Sequence, residues 1–270
     1  MRIYPMELWQ IIVALIQGLV EWLPISSEGQ LVFYIVNFTS LQPDAILSMV
    51  VWLHLGTSLA VIVRYPHIVL DLISFKDRVL LKRLILATIG TAVTAIPLYI
   101  FLKNSITLFQ GMLLNILVGG LLFVTAVVLY LPTRQTKNSS QELETRDVTD
   151  KEAFVTGLVQ GSAVLPGLSR SGVTVSSLLM QRVDKETALR FSFLMSVPAV
   201  LGILALEILT GSPIPPSVSL LDLILMEVIV FIIGIASMEF LLQVARKVSF
   251  WKLCLVLALI AILFGIPAFL

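Results

Sequence analysis

Apolar residues run through this sequence in stretches long enough to cross a bilayer, and two further stretches break at mid-length around a polar turn of one design. The first break holds Gln17-Gly18, Glu21, Pro24, Ser26-Ser27, Glu28, Gly29 and Gln30. The second holds Gln160-Gly161, Pro166-Gly167, Ser169-Arg170-Ser171-Gly172 and Thr174. Polar groups at membrane depth are costly and are usually functional. Two matching islands, roughly half the chain apart, imply a duplicated fold that builds one site from both halves.

Six unbroken stretches reach the roughly 20 residues that a span requires: about 45–64, 83–101, 109–131, 190–210, 220–244 and 252–270. The broken regions, about 8–36 and 153–181, are different. Neither half of either one covers the roughly 30 Å hydrocarbon core at about 1.5 Å per residue. Each therefore reads as a re-entrant hairpin, which survives only if it is buried in protein or lines a wet cavity. With 58% hydrophobic and 13% charged residues, the chain departs from a soluble domain, where about 25% are charged.

Basic residues set the expected sidedness. Most of the 18 Lys and Arg fall in four groups: Arg64 to Arg83, Arg134 to Lys151, Arg182 to Arg190, and Arg246 to Lys252. The intervening loops, about 37–44, 102–108 and 211–219, hold only Lys103. The basic loops are expected in the cytoplasm and both termini outside. Two successive basic loops flank residues 153–181, so that segment returns to the side it left. The expected fold is an all-α polytopic membrane protein of the plasma membrane, with six transmembrane helices and two re-entrant hairpins in an inverted-topology repeat. Residues 1–131 form one repeat and 153–270 the other, with 132–152 a mobile cytoplasmic linker. Residue 1 onward reads as mature protein, because the start lacks a basic n-region and a small-residue cleavage site.

Several chemistries are excluded early. A net charge of +1 gives no case for nucleic acid. The only cysteine, Cys254, allows neither an internal disulfide nor a thiolate metal site, and His54 and His67 are too few for a histidine cluster. The islands themselves suit an oxyanion. Gln17 and Glu21, four apart, share a helix face. Ser26 and Ser27 precede a helix, where capping and anion binding coincide. Arg170 is the one basic residue expected deep in the membrane, and its fork of N–H donors suits phosphate. Ser169, Ser171 and Thr174 add hydroxyls. His54, inside the first full span, reads as a core histidine with an outlying role near the site. Glu207 is expected to reach water at the outer end of its span, while Glu227 and Glu239 receive no chemistry.

At these residues the sequence resembles the undecaprenyl-diphosphatase family of integral membrane enzymes, also known as bacitracin-resistance proteins. The likeness is strongest over Pro166 to Thr174 and continues through Ala188 to Pro198, His54-Leu55-Gly56-Thr57, and Gln17, Glu21, Leu23-Pro24 and Ser26-Ser27. The resemblance implies hydrolysis of a membrane-embedded polyprenyl diphosphate to the monophosphate and phosphate, recycling a lipid carrier for envelope glycans. It implies dependence on a divalent cation, Mg²⁺ or Ca²⁺; Glu21 is the candidate residue to hold part of it, and a monomer or homodimer is expected. Glu21, Ser27 and Arg170 are the expected catalytic residues. Gln17, Ser26, Gln30, Ser169, Ser171 and Thr174 are expected to bind substrate, with Glu28 and His54 behind them. Ser27 is the expected nucleophile and a Glu21-activated water the alternative. A polyprenyl-phosphate flippase is the rival reading, because inverted repeats with broken helices are typical of transporters. The chain departs from the family at Gln30, usually His, at Gln17, often Glu, and at Glu28, commonly Thr or another small residue. Gln30 cannot titrate, so another group must serve any acid–base step there; Glu28, two residues away, is a candidate.

Overall fold

The structure, a computed structural model, describes residues 6–39, 41, 43–105, 111–138, 145–209 and 218–269. These residues form α-helices and short 3-10 turns, with no strand among them. In chain order the helices are α1 (Leu8–Val20), α2 (Ser27–Phe38), α3 (Pro43–Arg64), α4 (Pro66–Ile73), α5 (Arg78–Ser105), α6 (Met112–Asn138), α7 (Asp150–Gly161), α8 (Arg170–Met180), α9 (Lys185–Leu209), α10 (Leu220–Lys247) and α11 (Trp251–Gly265).

Helices α5, α6, α9 and α10 are each long and apolar enough to cross a bilayer. The α3–α4 pair makes a fifth candidate, bent by 91°. Along α5, Ile85, Ile89, Val93, Ile96 and Ile100 recur at helical spacing and are all exposed. On α10, Leu221, Leu225, Val228 and Ile232 do the same. Such continuous apolar faces are incompatible with water, and they make this a multi-pass membrane protein.

Both islands fold as helix, break, helix. In the first, α1 ends at Val20, and Ser26, in the left-handed region at φ 60°, caps α2 by accepting from Gly29 N at 3.1 Å. In the second, a 3-10 turn at Ser162–Val164 follows α7. Gly167 then takes φ 115°, open to glycine at little cost, and Ser169 caps α8 by accepting from Gly172 N at 3.1 Å. Helices α1, α2, α7 and α8 have 13, 12, 12 and 11 residues, each too short to span alone.

Packing exchanges the two halves. Helix α7 lies along α5, α1 lies along α10, α3 packs on α9, and α11 packs on α6. The α5–α7 crossing is close: a Cβ on Gly90 would stand 2.5 Å from Phe154 O, and one on Gly157 would overlap Ala87 O. Small residues permit such approach between membrane helices.

Four expectations change. Helix α4 was not anticipated; Pro66 starts it and turns the chain off α3, leaving Leu70 and Ile73 exposed. Helix α11 has 15 residues, short of the span expected over 252–270, and a 3-10 turn at Ile266–Phe269 follows it. The 132–152 linker is partly ordered. Helix α6 continues to Asn138, and Arg146 grips Glu152 through two bonds of 2.9 and 2.7 Å. Asp147 and Asp150 are also bound, by Arg83 at 3.3 Å and Lys82 at 2.5 Å, while residues 139–144 lie outside the described set. Glu207 does not reach water: it is 1% exposed, accepts from the Tyr99 hydroxyl, and lies 3.1 Å from Lys103 Nζ. Trp22 anchors the core, with its Nε1 donating to Gly234 O at 3.0 Å and its ring edge-on to Phe193 at 5.6 Å.

Candidate active site

The two breaks meet. Ser26 Oγ, already the cap of α2, also accepts from Gly167 N in the other hairpin at 3.1 Å. One hydroxyl thus ties both tips. Thr125 on α6 holds the second tip from behind, donating to Gly167 O at 2.8 Å and accepting from Ser169 N at 3.1 Å.

Glu21 is the centre of the junction. It sits at the C-terminal end of α1 and is 6% exposed. Arg170, the first residue of α8, donates NH2 to Glu21 Oε1 at 2.5 Å. Ser27, the first residue of α2, donates its hydroxyl to Glu21 Oε2 at 2.6 Å, and Gln17 Nε2 donates to the same oxygen at 3.1 Å. Arg170 is braced by NH1 on Ser192 O at 3.3 Å and lies 5.8 Å from the centroid of the Phe193 ring. A carboxylate removed from water needs such partners, since the desolvation cost is recovered only through excellent geometry.

His54 enters from α3. Its Nδ1 lies 2.7 Å from Val50 O, which fixes that nitrogen as the donor. Its Nε2 lies 3.5 Å from Glu21 Oε2 and 3.7 Å from Glu28 Oε1. Glu28 and His54, both expected behind the substrate-binding residues, line the cavity at this junction.

Around this junction is a cavity of about 20 Å³, lined by Glu21, Ser27, Glu28, His54, Ser169, Arg170 and Ser171 among others. That is room for about one water. Beside it a cavity of about 310 Å³ runs between α3, α5, α7 and α9, walled mainly by Ala, Val, Ile and Leu. The two share Glu28, His54, Ala163 and Arg170. The polar seat therefore opens at one end of an apolar slot.

Not every expected residue reaches the seat. Gln30 donates Nε2 to Ile25 O at 3.2 Å, bracing its own turn. Thr174 faces α9, bonding Ser192 Oγ at 2.7 Å. Gln17, fully buried, supports Glu21 from outside the cavity. Ser26 lines the cavity, but both backbone bonds it accepts are structural. Ser169 and Ser171 remain at the wall, 3.3 Å apart. Arg170, Ser27 and Gln17 all donate to the Glu21 oxygens. Among the described residues no group of three or more His, Cys, Asp or Glu is arranged to hold a metal ion. Sequence reasoning missed Ser192 and Thr125; for Thr125, a hydroxyl in mid-span was the available signal.

The family model described as "Bacitracin resistance protein BacA" matches residues 10–263. A protein of Methanothrix thermoacetophila named undecaprenyl-diphosphatase is 38% identical over 93% of this chain and 94% of its own. Proteins of the same name from Methanopyrus kandleri and Haloarcula marismortui are 36% and 33% identical, covering 97% and 95% of this chain and 97% and 96% of theirs. With a match across nearly its whole length and an Arg–Glu–Ser junction where the motifs converge, the chain belongs to the bacitracin resistance protein BacA family.

Proposed function

We propose that this protein hydrolyses a polyprenyl diphosphate of the undecaprenyl type to the monophosphate and inorganic phosphate, recycling a lipid carrier for envelope glycan synthesis. The observation that carries the reading is Glu21, held by Arg170 on one oxygen and by the Ser27 hydroxyl on the other, at the end of an apolar slot. The relatives' shared name points the same way.

The slot takes the first part of the prenyl tail, and the diphosphate lies at the junction. Phosphate oxygens draw Arg170 from Glu21, exchanging one charge-assisted bond for another. Glu21, relieved of its cation, accepts the Ser27 proton while Ser27 Oγ attacks the terminal phosphorus. Arg170 and the Ser169 and Ser171 hydroxyls carry the charge on the transferring group. Phosphoryl transfer depends mainly on such positioning and charge stabilisation. The bond from the terminal phosphorus to the bridging oxygen breaks and polyprenyl monophosphate leaves; water then releases phosphate from Ser27, whose Oγ recovers its proton from Glu21. The divalent cation expected from the resemblance would neutralise phosphate charge, and Glu21 and Glu28 are the carboxylates lining the seat that could hold it.

The membrane arrangement is six spans and two re-entrant hairpins in inverted repeats, 1–131 and 153–270, with the basic loops cytoplasmic and both termini outside. Three features support it. Both broken pairs lie at matching places in the two halves. Each hairpin's first helix packs on the second span of the opposite half, as α1 does on α10 and α7 on α5. The first spans, α3 and α9, and the third, α6 and α11, pair with each other.

The test is phosphate release from undecaprenyl diphosphate by purified protein in vesicles. Release that requires the protein is the expected result. Lipid monophosphate crossing the vesicle without release would instead indicate a flippase and contradict hydrolysis.

A further inference from the structure

We propose that His54 is a catalytic residue of this site, the general acid that protonates the departing polyprenyl monophosphate, with Val50 O orienting its ring. This rests on the hydrolase reading above. The case is positional. His54 and Glu28 are among the few residues that line both the small polar cavity and the apolar slot. The terminal phosphate belongs beside Ser27 and Arg170, and the tail belongs in the slot. The phosphate that carries the tail, and the oxygen bridging the two phosphates, must then lie at the opening between them, where His54 stands.

The ring is held for the task. Nδ1 is committed to Val50 O at 2.7 Å, so Nε2 is the nitrogen free to exchange a proton. Nε2 faces two carboxylates, Glu21 at 3.5 Å and Glu28 at 3.7 Å. Glu28 is supplied by α2, one residue beyond Ser27, so the nucleophile and a carboxylate facing the acid are fixed by one helix start. Gln30, which cannot titrate, is turned away to Ile25 O. Among the described residues, no other histidine and no lysine lines the polar cavity.

The step balances as follows. Ser27 Oγ forms a bond to the terminal phosphorus and gives its proton to Glu21. The bond from that phosphorus to the bridging oxygen breaks, and the bridging oxygen takes the proton from His54 Nε2, leaving as polyprenyl monophosphate. In the second step water attacks the phosphoserine and gives its proton to His54. Ser27 Oγ leaves with the proton held by Glu21, and both groups are restored. The consumed species is one water.

The experiment compares wild type, His54→Gln, His54→Ala and Arg170→Ala, purified and assayed for phosphate release from undecaprenyl diphosphate across pH. The charged groups facing His54 are Glu21, Glu28 and Arg170, with Glu227 of α10 bound to nearby Gly56 N at 2.6 Å; none of these is changed in the His54 variants. General acid–base assistance is typically worth 10²–10⁴-fold. His54→Gln and His54→Ala should each lower kcat by about 10²-fold or more with little change in KM. The alkaline limb of the kcat profile should flatten in both. Added imidazole should restore part of the rate in His54→Ala, where it can occupy the vacated space, but not in His54→Gln. A purely structural histidine would give no imidazole rescue and no change of limb. Retention of a third or more of kcat in His54→Gln, while Arg170→Ala is inactive, would overturn this proposal and leave the hydrolase reading standing. Loss of rate without rescue, or flattening of the acid limb instead, would also overturn it. A wild-type protein that releases no phosphate would overturn both.

Discussion

Removing Arg170 has two separable consequences, and a second substitution divides them. In Arg170→Ala the Glu21 carboxylate keeps its burial but loses its cationic partner at 2.5 Å. Breaking a buried pair from one side costs about 3–5 kcal/mol, because the remaining charge is left uncompensated. For a chain of this size, about 2–4 °C of melting temperature accompanies each kcal/mol. Arg170→Ala should therefore melt roughly 6–20 °C below wild type. In Glu21→Gln/Arg170→Ala the uncompensated charge is gone. Gln can still accept from Ser27 and donate elsewhere, so most of the lost stability should return. Phosphate release should not return, because the guanidinium that carries phosphate charge is absent from both. The assays are intrinsic-fluorescence melts in one detergent and phosphate release from the same preparations. A double variant that melts as low as Arg170→Ala would refute the claim that Glu21 is what Arg170 compensates. Double-variant activity near wild type would refute the catalytic half.

Other outcomes follow from single contacts. Ser27→Ala should abolish phosphate release, whereas retained turnover would assign the attack to a water in the 20 Å³ cavity and leave Ser27 as a binding group. Ser26→Ala removes the hydroxyl shared by Gly29 N and Gly167 N, and should lower the melting temperature by several degrees with a raised KM, read from melts and kinetics together. Gly90→Val places a side chain 2.5 Å or less from Phe154 O and should prevent recovery of folded protein, measured by size-exclusion yield. The Arg146 guanidinium beside Glu152 pushes its carboxyl down to about 2 from the ordinary 4.5. The folded value is the lower one, so this pair stabilises fully above about pH 4.5 and its contribution disappears as pH falls towards 2. Glu152→Gln should accordingly lower the melting temperature at pH 7 and match wild type near pH 2.

The all-helical, membrane-embedded character of the chain was legible because a membrane leaves few choices. A run of about 20 apolar residues is long enough to cross it as a helix, and a Pro-Gly-Ser break within such a run cannot be exposed to lipid. Glu21 and Arg170 were singled out for a related reason, since charged groups at membrane depth are costly and usually functional; their direct contact appears only in the structure. The short helix α4 was hidden because Pro66 reads equally as a loop or as a first helical residue. Glu207 was misplaced because sequence position gives depth along a span but not direction around it, and Tyr99 and Lys103 close over it. The same limit left His54 behind the site and put Thr174 in the seat. Both residues lie on helices, and only packing decides that His54 turns towards Glu28 while Thr174 turns towards Ser192. Gln30 carried no signal of its orientation either, since its bond to Ile25 O is local to the turn.

The central claim is that one residue from each hairpin makes the phosphohydrolase centre. Phosphate release from undecaprenyl diphosphate by purified wild type, Glu21→Gln and Arg170→Lys, all at matched folded concentration, tests it most directly. The account predicts robust release by wild type and a fall of about 10²-fold or more in each variant, Arg170→Lys included because a point ammonium cannot reproduce the planar fork. Near-wild-type turnover in either variant would place the chemistry elsewhere and contradict the account.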